Sequence, residues 1–516
     1  MKTEGLFPRV LLAGLLLAPV GPVSVVAQVP SGLDLGSALR LTLENDPNIA
    51  LVEARLAGAQ GALLGAAGAF DPVVTSEVKE TASDTPQTES TSAELRSLES
   101  SLGLATRLRS GLTVTPSFRV HRTEVPGSGE DPVNVGTLSF AFRQPLLQGR
   151  GRSVTAAGEL AAEREVVAGT LDLEQTTAER VLAVALQYWT ARARALDLEI
   201  LEESEASARD LLATTRRLVE ADQTPAAELV QLEANLAAKE SARIGGQRSL
   251  FAARQSLGRE IGLEPSRIAA LPPPADPFPR IRPAEVPGAV EADRWIETAL
   301  RRRADLRAAR TRREAVEIRL HAATNALQPK LDLLFVPTWS GLVAGNGAAD
   351  YLSALGRNVP GVGASLGVSL AWPTRNRTAL GAQAETEAAL RQSALRIDVL
   401  ARNVGADVPS ALDAVASGAL QADKAAQAVA LFERAVINEE KKLRAGTSTL
   451  LDLISQRDRL TSARQTEVAA RLALAQALAR LRFETGTLLA GSEGEGGAAL
   501  RPELLTRVPS AEEARP

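Results

Sequence analysis

The sequence predicts a mainly α-helical chain with a smaller β part, built from two tandem repeats. Each repeat reads as helix, strands, long rod, reversal and returning helix. Three observations carry this reading. Ala, Leu, Arg and Glu dominate while aromatic residues make up only 3%, which is the usage of long helices. Leu182, Leu186, Trp189, Ala193, Leu196 and Ile200 recur at alternating spacings of four and three, a coiled-coil seam. The stretch that follows the first rod aligns without gaps with the stretch that follows the second.

Composition also excludes whole classes of chemistry. There is no cysteine, only His121 and His321 carry imidazoles, and the single methionine is residue 1. Disulfide scaffolds, Cys/His zinc sites, iron–sulfur clusters, c-type haem and cysteine nucleophiles are thereby ruled out. Net charge is −4 with 23% charged residues of both signs, so the basic footprint of a nucleic-acid-binding protein is missing. No catalytic residue, cofactor or resident metal is expected.

The N-terminus comes first. Lys2 and Arg9 precede an apolar run from Val10 to Val20, and Val25-Val26-Ala27 lies before Gln28. A charged segment, a short apolar core and small residues at the cleavage site make residues 1–27 a secretory signal peptide. The run is too short for a membrane anchor, and no later run reads as a membrane helix. Any membrane-spanning part must then be made of strands.

The first repeat covers 28–263. A helix from Leu33 to about Gly68 opens it. Residues 70–145 are rich in Ser, Thr and Val, with period-2 alternation in Leu112-Thr113-Val114-Thr115 and turns such as Pro126-Gly127-Ser128-Gly129, so they read as strands. Residues 151–222 contain no proline and form a rod of roughly 100 Å at 1.5 Å per residue. Asp222-Gln223-Thr224-Pro225 ends it, with Thr224 as N-cap and Pro225 in the first turn of the returning helix, 225–262. A connector over 264–290 carries eight prolines and reads as a semi-rigid linker.

The second repeat, 291–489, runs through the same order. Ala299-Leu300 echoes Ala38-Leu39, and Gln328-Pro329 echoes Asp71-Pro72. Strands fall within 331–372, a long helix within 375–445, and a returning helix within 449–486. Gly405, Pro409 and Gly418 interrupt the helical pattern, and a kink is expected near Val404 to Pro409, because an interior proline costs ~3 kcal/mol and bends or breaks the helix. One offset pairs Ala221 with Ala445, Thr224 with Ser448, Glu228 with Asp452, Glu260 with Glu484 and Gly262 with Gly486. The tail, 490–516, is Gly- and Glu-rich at its start and is expected to be disordered.

Hairpins alone are marginal in water, and open sheet edges do not occur in hydrocarbon. Several protomers sharing one closed barrel, with the rods side by side beneath it, would remove both problems.

The chain resembles the TolC-like outer-membrane efflux proteins of Gram-negative bacteria from Leu33 to about Leu489. The resemblance lies in the Leu33-Asp34-Leu35 to Asn48 opening, the Gln144-Pro145-Leu146-Leu147-Gln148-Gly149-Arg150-Gly151-Arg152 turn, both rod-end reversals and Leu481-Arg482-Phe483-Glu484-Thr485-Gly486. It implies a homotrimer whose twelve strands, four per protomer, form an outer-membrane barrel in lipid, continued by a periplasmic helical barrel. It also implies a passive duct, not an enzyme, partnered by a periplasmic adaptor (membrane fusion) protein and an inner-membrane pump. Efflux and type I secretion are both open. A periplasmic coiled-coil adaptor and a structural envelope protein are the alternatives, although the lipoyl-like and small-barrel domains of adaptors are missing.

The resemblance also points to candidate residues. Asp452 matches a pore-facing acid in the family. Three copies would form an anionic ring whose members raise one another's pKa, whereas a plain first-turn acid would stabilise its own helix start. Glu228 is its first-repeat counterpart in the candidate periplasmic gate. The basic partner expected for Glu228 is Ser448 here, and a further family acid is Ser455. Asp222, Thr224, Gly446, Thr447 and Ser448 form the candidate adaptor-contact tip. Lys441, Lys442 and Arg444 read as a last-turn cluster on helix carbonyls. Trp372 closes a strand at an interfacial position, and both histidines are treated as incidental.

Overall fold

The computed structural model describes residues 32–88, 91–222, 225–286, 292–356, 361–489 and 501–510. The signal-peptide segment 1–27 lies outside them.

In the first repeat, α1 (Leu35–Asn45) and α2 (Pro47–Ala67) lead into β1 (Val73–Thr88), β2 (Thr91–Arg107), β3 (Thr113–Glu124) and β4 (Val133–Pro145). A short α3 (Arg152–Thr155) precedes the rod α4 (Ala157–Glu220), and α5 (Ala227–Ile261) returns along it. After α6 (Pro265–Ala269) the second repeat supplies α7 (Ala292–Arg302), α8 (Ala304–Asn325), β5 (Lys330–Ala344), α9 (Ala348–Ser353), β6 (Gly361–Ala371), the rod α10 (Arg377–Arg444) and α11 (Leu450–Glu484). The expected opening helix is two, because Pro47 has no N–H to continue α1 and suits the first turn of α2. Asp46 caps that turn, accepting from the Asn48 N–H at 2.8 Å.

The duplication shows in backbone conformation as well as in sequence. Asp222 and Gly446, 224 residues apart, both adopt positive φ, 55° and 73°. Their amides donate to equivalent carbonyls, Val219 and Leu443, at 3.0 Å each. Gly262 and Gly486 repeat the pattern at the ends of the returning helices, with φ of 84° and 67°. There Leu263 N donates to Gly258 O and Thr487 N to Arg482 O, both at 2.9 Å, the six-to-one bond of a left-handed helix ending.

Three expectations are corrected. First, α10 is one helix of 68 residues with Pro409 inside it, not an interrupted one. Val404, Val408, Leu412 and Val415 are buried with Trp295, Leu478 and Leu481, and this packing carries the helix past the proline. Second, the tail is not wholly disordered. Pro502–Thr506 forms a short 3-10 turn, Leu505 is 1% exposed within the first core, and the buried Arg482 donates to Arg507 O at 3.2 Å. Residues 490–500 and 511–516 lie outside the described set. Third, the Pro-rich stretch is part of the core rather than a spacer. Asp276 accepts from Leu35 N at 2.7 Å and from Tyr188 Oη at 2.8 Å, and Phe278 stacks on Trp189 with ring centroids 5.4 Å apart.

All six strands belong to one antiparallel sheet in chain order, β1-β2-β3-β4-β5-β6. The resemblance implied four strands per protomer; the described residues carry six. The additional pair is β1 and β2, which lie within the 70–145 stretch that reads as strands. A further point departs from the sequence reading. Residues Pro47–Phe70 are long and apolar enough, by length and composition alone, to cross a membrane. They run directly into the sheet, and their apolar surface is taken up below.

Candidate functional site

The register of the sheet sorts its side chains into two faces, since successive residues of a strand alternate. Val74, Leu104, Phe140, Phe142, Phe335 and Leu366 fall on one face, with Phe118, Leu138, Trp339 and Val362 in a single cross-strand row among them. The opposite face carries Thr75, Gly103, Ser117, Ser139, Thr338 and Gly363 in one row, and Glu77, Ser101, Arg119, Thr137 and Ser340 in the next. Ser117 and Ser139 hydroxyls meet at 2.7 Å there. The apolar face is largely exposed, with Leu366 72% and Val362 75% accessible. An apolar outer face backed by a polar inner one is the pattern of a membrane barrel wall. Trp372, just beyond β6, is also exposed.

At the upper part of the apolar face α9 folds back over the sheet. Tyr351 Oη donates to Val120 O at 3.1 Å. Gly136 and Gly341 leave the space, since a Cβ on Gly341 would stand 2.4 Å from Ala354 O.

The other end of the molecule is the pair of rod reversals. Thr449 caps α11, and Asp452 completes a reciprocal capping box. Asp452 N donates to Thr449 Oγ1 at 3.2 Å, while Asp452 Oδ2 accepts from Thr449 Oγ1 at 2.6 Å and from Thr449 N at 3.2 Å. These bonds from Thr449, then Ser448, hold the Asp452 carboxyl below the usual aspartate range within the protomer. The first-turn role is therefore present. Ser448 does not act as a partner for Glu228. Its hydroxyl donates to Glu439, and that bond, together with Lys442, lowers the Glu439 pKa. Lys442 reaches Glu439 at 3.0 Å rather than a helix carbonyl, and its own carbonyl accepts from Thr447 N at 3.0 Å. Glu228 sits in the first turn of α5 with no ion-pair partner among the described residues. Asp222 is exposed at the end of the first rod, and Thr224 lies outside the described residues.

A polar belt just above the tip was not anticipated. Arg457 on α11 donates to Glu440 on α10 at 2.7 Å and to Ser207 Oγ on α4 at 2.8 Å. Arg464 reaches Glu203 at 2.7 Å and Glu433 at 2.9 Å, and Lys239 on α5 pairs with Asp458. The bonds to Ser207, Glu203 and Asp458 join the two helical hairpins across 219 to 261 residues of sequence, and no local spacing announces them.

Residues 295–487 match the family model described as outer membrane efflux protein. No curated protein matches the chain. Among solved structures, the Vibrio cholerae outer membrane protein VceC shares the fold with a TM-score of 0.61 at 17% identity, covering 88% of this chain and 96% of its own. The Campylobacter jejuni CmeC outer membrane channel gives 0.62 at 14% identity over 88% and 85%. The open Neisseria gonorrhoeae MtrE outer membrane channel gives 0.59 at 15% over 88% of each chain. The family match falls on the second repeat, and these outer-membrane channels share the fold of the chain over 88% of its length.

Proposed function

We propose that the protein is the outer-membrane exit duct of a tripartite efflux or secretion system. It passes substrates passively from the periplasm and an inner-membrane pump to the exterior. One observation carries this reading: the sheet with an apolar outer face is joined at its lower end to two helical rods of about 100 Å. The chain crosses that joint four times, at α2–β1, β4–α3, α8–β5 and β6–α10. A soluble adaptor has no use for so large an exposed apolar sheet face. The protein acts as a homotrimer, and its reversals, through Asp222, Thr224, Gly446, Thr447 and Ser448, meet the adaptor at the periplasmic tip.

The gate reading assigns Asp452 and Glu228 to the entrance, where three copies of each converge. The capping bonds converge on Asp452 Oδ2. Planar-bilayer recordings test the assignment. Asp452→Asn should reduce cation selectivity and divalent block while the trimer persists, and Glu228→Gln should do less. An unchanged reversal potential and unchanged block in Asp452→Asn would leave Asp452 as a helix-start acid only. Loss of channel activity in the wild-type protein would remove the duct reading itself.

A further inference from the structure

The β1–β2 hairpin admits two placements, as a flap above the membrane or as a piece of its wall. The ladder favours the wall. β2 is paired to β3 from Arg96↔Glu124 to Arg107↔Thr113 in one register, and β1 to β2 from Val73↔Ala105 upward, so the hairpin continues the sheet. Its side chains obey the same partition as the other four strands. Val74, Val78, Leu98, Leu102 and Leu104 share the face of Phe118 and Phe140, while Thr75, Glu77, Lys79, Glu99 and Ser101 share the face of Ser117 and Arg119.

The change to charge on the apolar face falls at one level. Glu80 and Arg122 lie in the same cross-strand row through Leu98, and Arg96 faces Glu124 one row higher. Below that row this face of β1, β2 and β3 is free of charge; above it, all three strands become charged. On the polar face, Glu99 of the hairpin forms an ion pair with Arg119 at 3.0 Å and lies 3.9 Å from His121. Ionised groups at that height are costly toward lipid and belong to a water-filled lumen.

The edges complete the argument. β1 and β6 are the two ends of the sheet. Both show apolar side chains on the same face, Val74 69% and Val78 71% accessible on β1, and Leu366 and Val368 on β6. An unpaired backbone edge does not survive in hydrocarbon, and the occupant that satisfies both edges at once is a second copy of this chain. We propose that the β1–β2 hairpin is part of the membrane wall. β6 of one copy then pairs with β1 of the next, and three copies close a barrel of eighteen strands rather than twelve. Barrel diameter grows roughly linearly with strand number, so the outer-membrane section is about half as wide again as a twelve-strand one and suits bulkier cargo.

This inference rests on the reading of the chain as a trimeric outer-membrane duct, and the test separates the two. The sequence contains no cysteine, so single cysteines report without background in full-length protein in outer membranes. Cysteines replacing Thr75, Glu77 and Ser101 should react with a membrane-impermeant maleimide, whereas those replacing Ser76, Val78 and Leu102 should lose that labelling. Thr75→Cys paired in turn with cysteines at Gly363, Ser365, Gly367 and Ser369 of β6 should yield disulfide-linked trimers. Equal labelling of both faces, with β6 crosslinking instead to Thr115→Cys or Ser117→Cys of β3, would overturn the wall placement and leave twelve strands. Native mass spectrometry of the wild-type protein judges the reading beneath: a stoichiometry other than three would overturn the strand count, even with alternating labels.

Discussion

Two ion clusters occupy equivalent joints in the repeats, and their residues differ in burial and therefore in consequence. In the first repeat the almost fully buried Asp46 accepts from Arg180 Nε, and Arg180 Nη2 donates to Glu260 at 2.6 Å. Burial alone would lower the Arg180 pKa, but the bonds to Asp46 and Glu260 raise it. Removing that cation strands a buried carboxylate, which costs about 3 kcal/mol or more. Arg180→Leu should thus lower the denaturant midpoint of the assembled protein clearly; a midpoint within error of wild type would show that Asp46 is relieved some other way. In the second repeat Arg303 pairs with Asp305 at 2.8 Å and Glu484 at 2.5 Å. Desolvation, opposed by Arg303, raises the Glu484 pKa above its ordinary value. The folded state then holds a proton in the window between the ordinary and the raised pKa, where the unfolded chain does not. Glu484 adds stability as pH falls through its folded pKa, and that contribution is gone above it. Relative to wild type, Glu484→Gln should be least harmful at neutral pH and progressively more harmful on acidification through that window. Melting curves over pH 4 to 8 check this, and a pH-independent difference would contradict it.

At the scale of the element, what could be read in advance is local backbone chemistry, and what could not is contact between distant segments. The reversals were legible because Pro225, Gly446, Gly262 and Gly486 each impose a conformation on their own neighbours. Gly262 shows the constraint well: its φ is 84°, and a Cβ there would lie 2.6 Å from Asn45 O. Gly262→Ala combines left-handed strain of roughly 1–2 kcal/mol with a clash against the α1–α2 joint. It should destabilise the protein more than Gly245→Ala, where nothing lies within 4 Å; equal melting temperatures for the two would refute the packing argument. For the complementary reason, Pro409 does not end its helix. Its local cost is real, but the apolar row from Val404 to Val415 packs against α7 and α11, and tertiary burial outweighs it. Leu505 and Phe278 were missed likewise, since nothing in a charged tail or a Pro-rich stretch announces a core residue; Phe278 stacks on Trp189, 89 positions away. The Arg457, Arg464 and Lys239 belt shares that character. The candidate tip residues were found by their place in the reversals, whereas the bonds that join the hairpins just above them were not.

At the scale of the whole molecule, one protomer leaves too much apolar surface uncovered to be the working unit. The helix α2 is the clearest case. Leu51 is exposed, Leu64 is 76% accessible, and Gly58, Gly61 and Gly65 have open space where a Cβ would stand. A helix this apolar needs a partner surface, and its glycines let a neighbouring backbone approach closely. The rod α10 offers a matching one, with Leu380, Leu395 and Val399 exposed. In a ring of three, α2 of one copy and α10 of the next would close the seam beneath the barrel, so that a chain segment resembling a membrane helix in composition is instead an intersubunit surface. Leu64→Glu places a charge in that seam without touching the protomer's own core. It should abolish detergent-resistant trimers on gels and shift native mass to the single chain, while the helical circular-dichroism signal of the folded protomer remains. Gly245→Glu, on a helix position equally open, is the control and should leave trimers intact. Trimers that survive Leu64→Glu would place the subunit seam elsewhere on the rods; loss of helical signal together with the trimer would mean that α2 is held within the protomer after all.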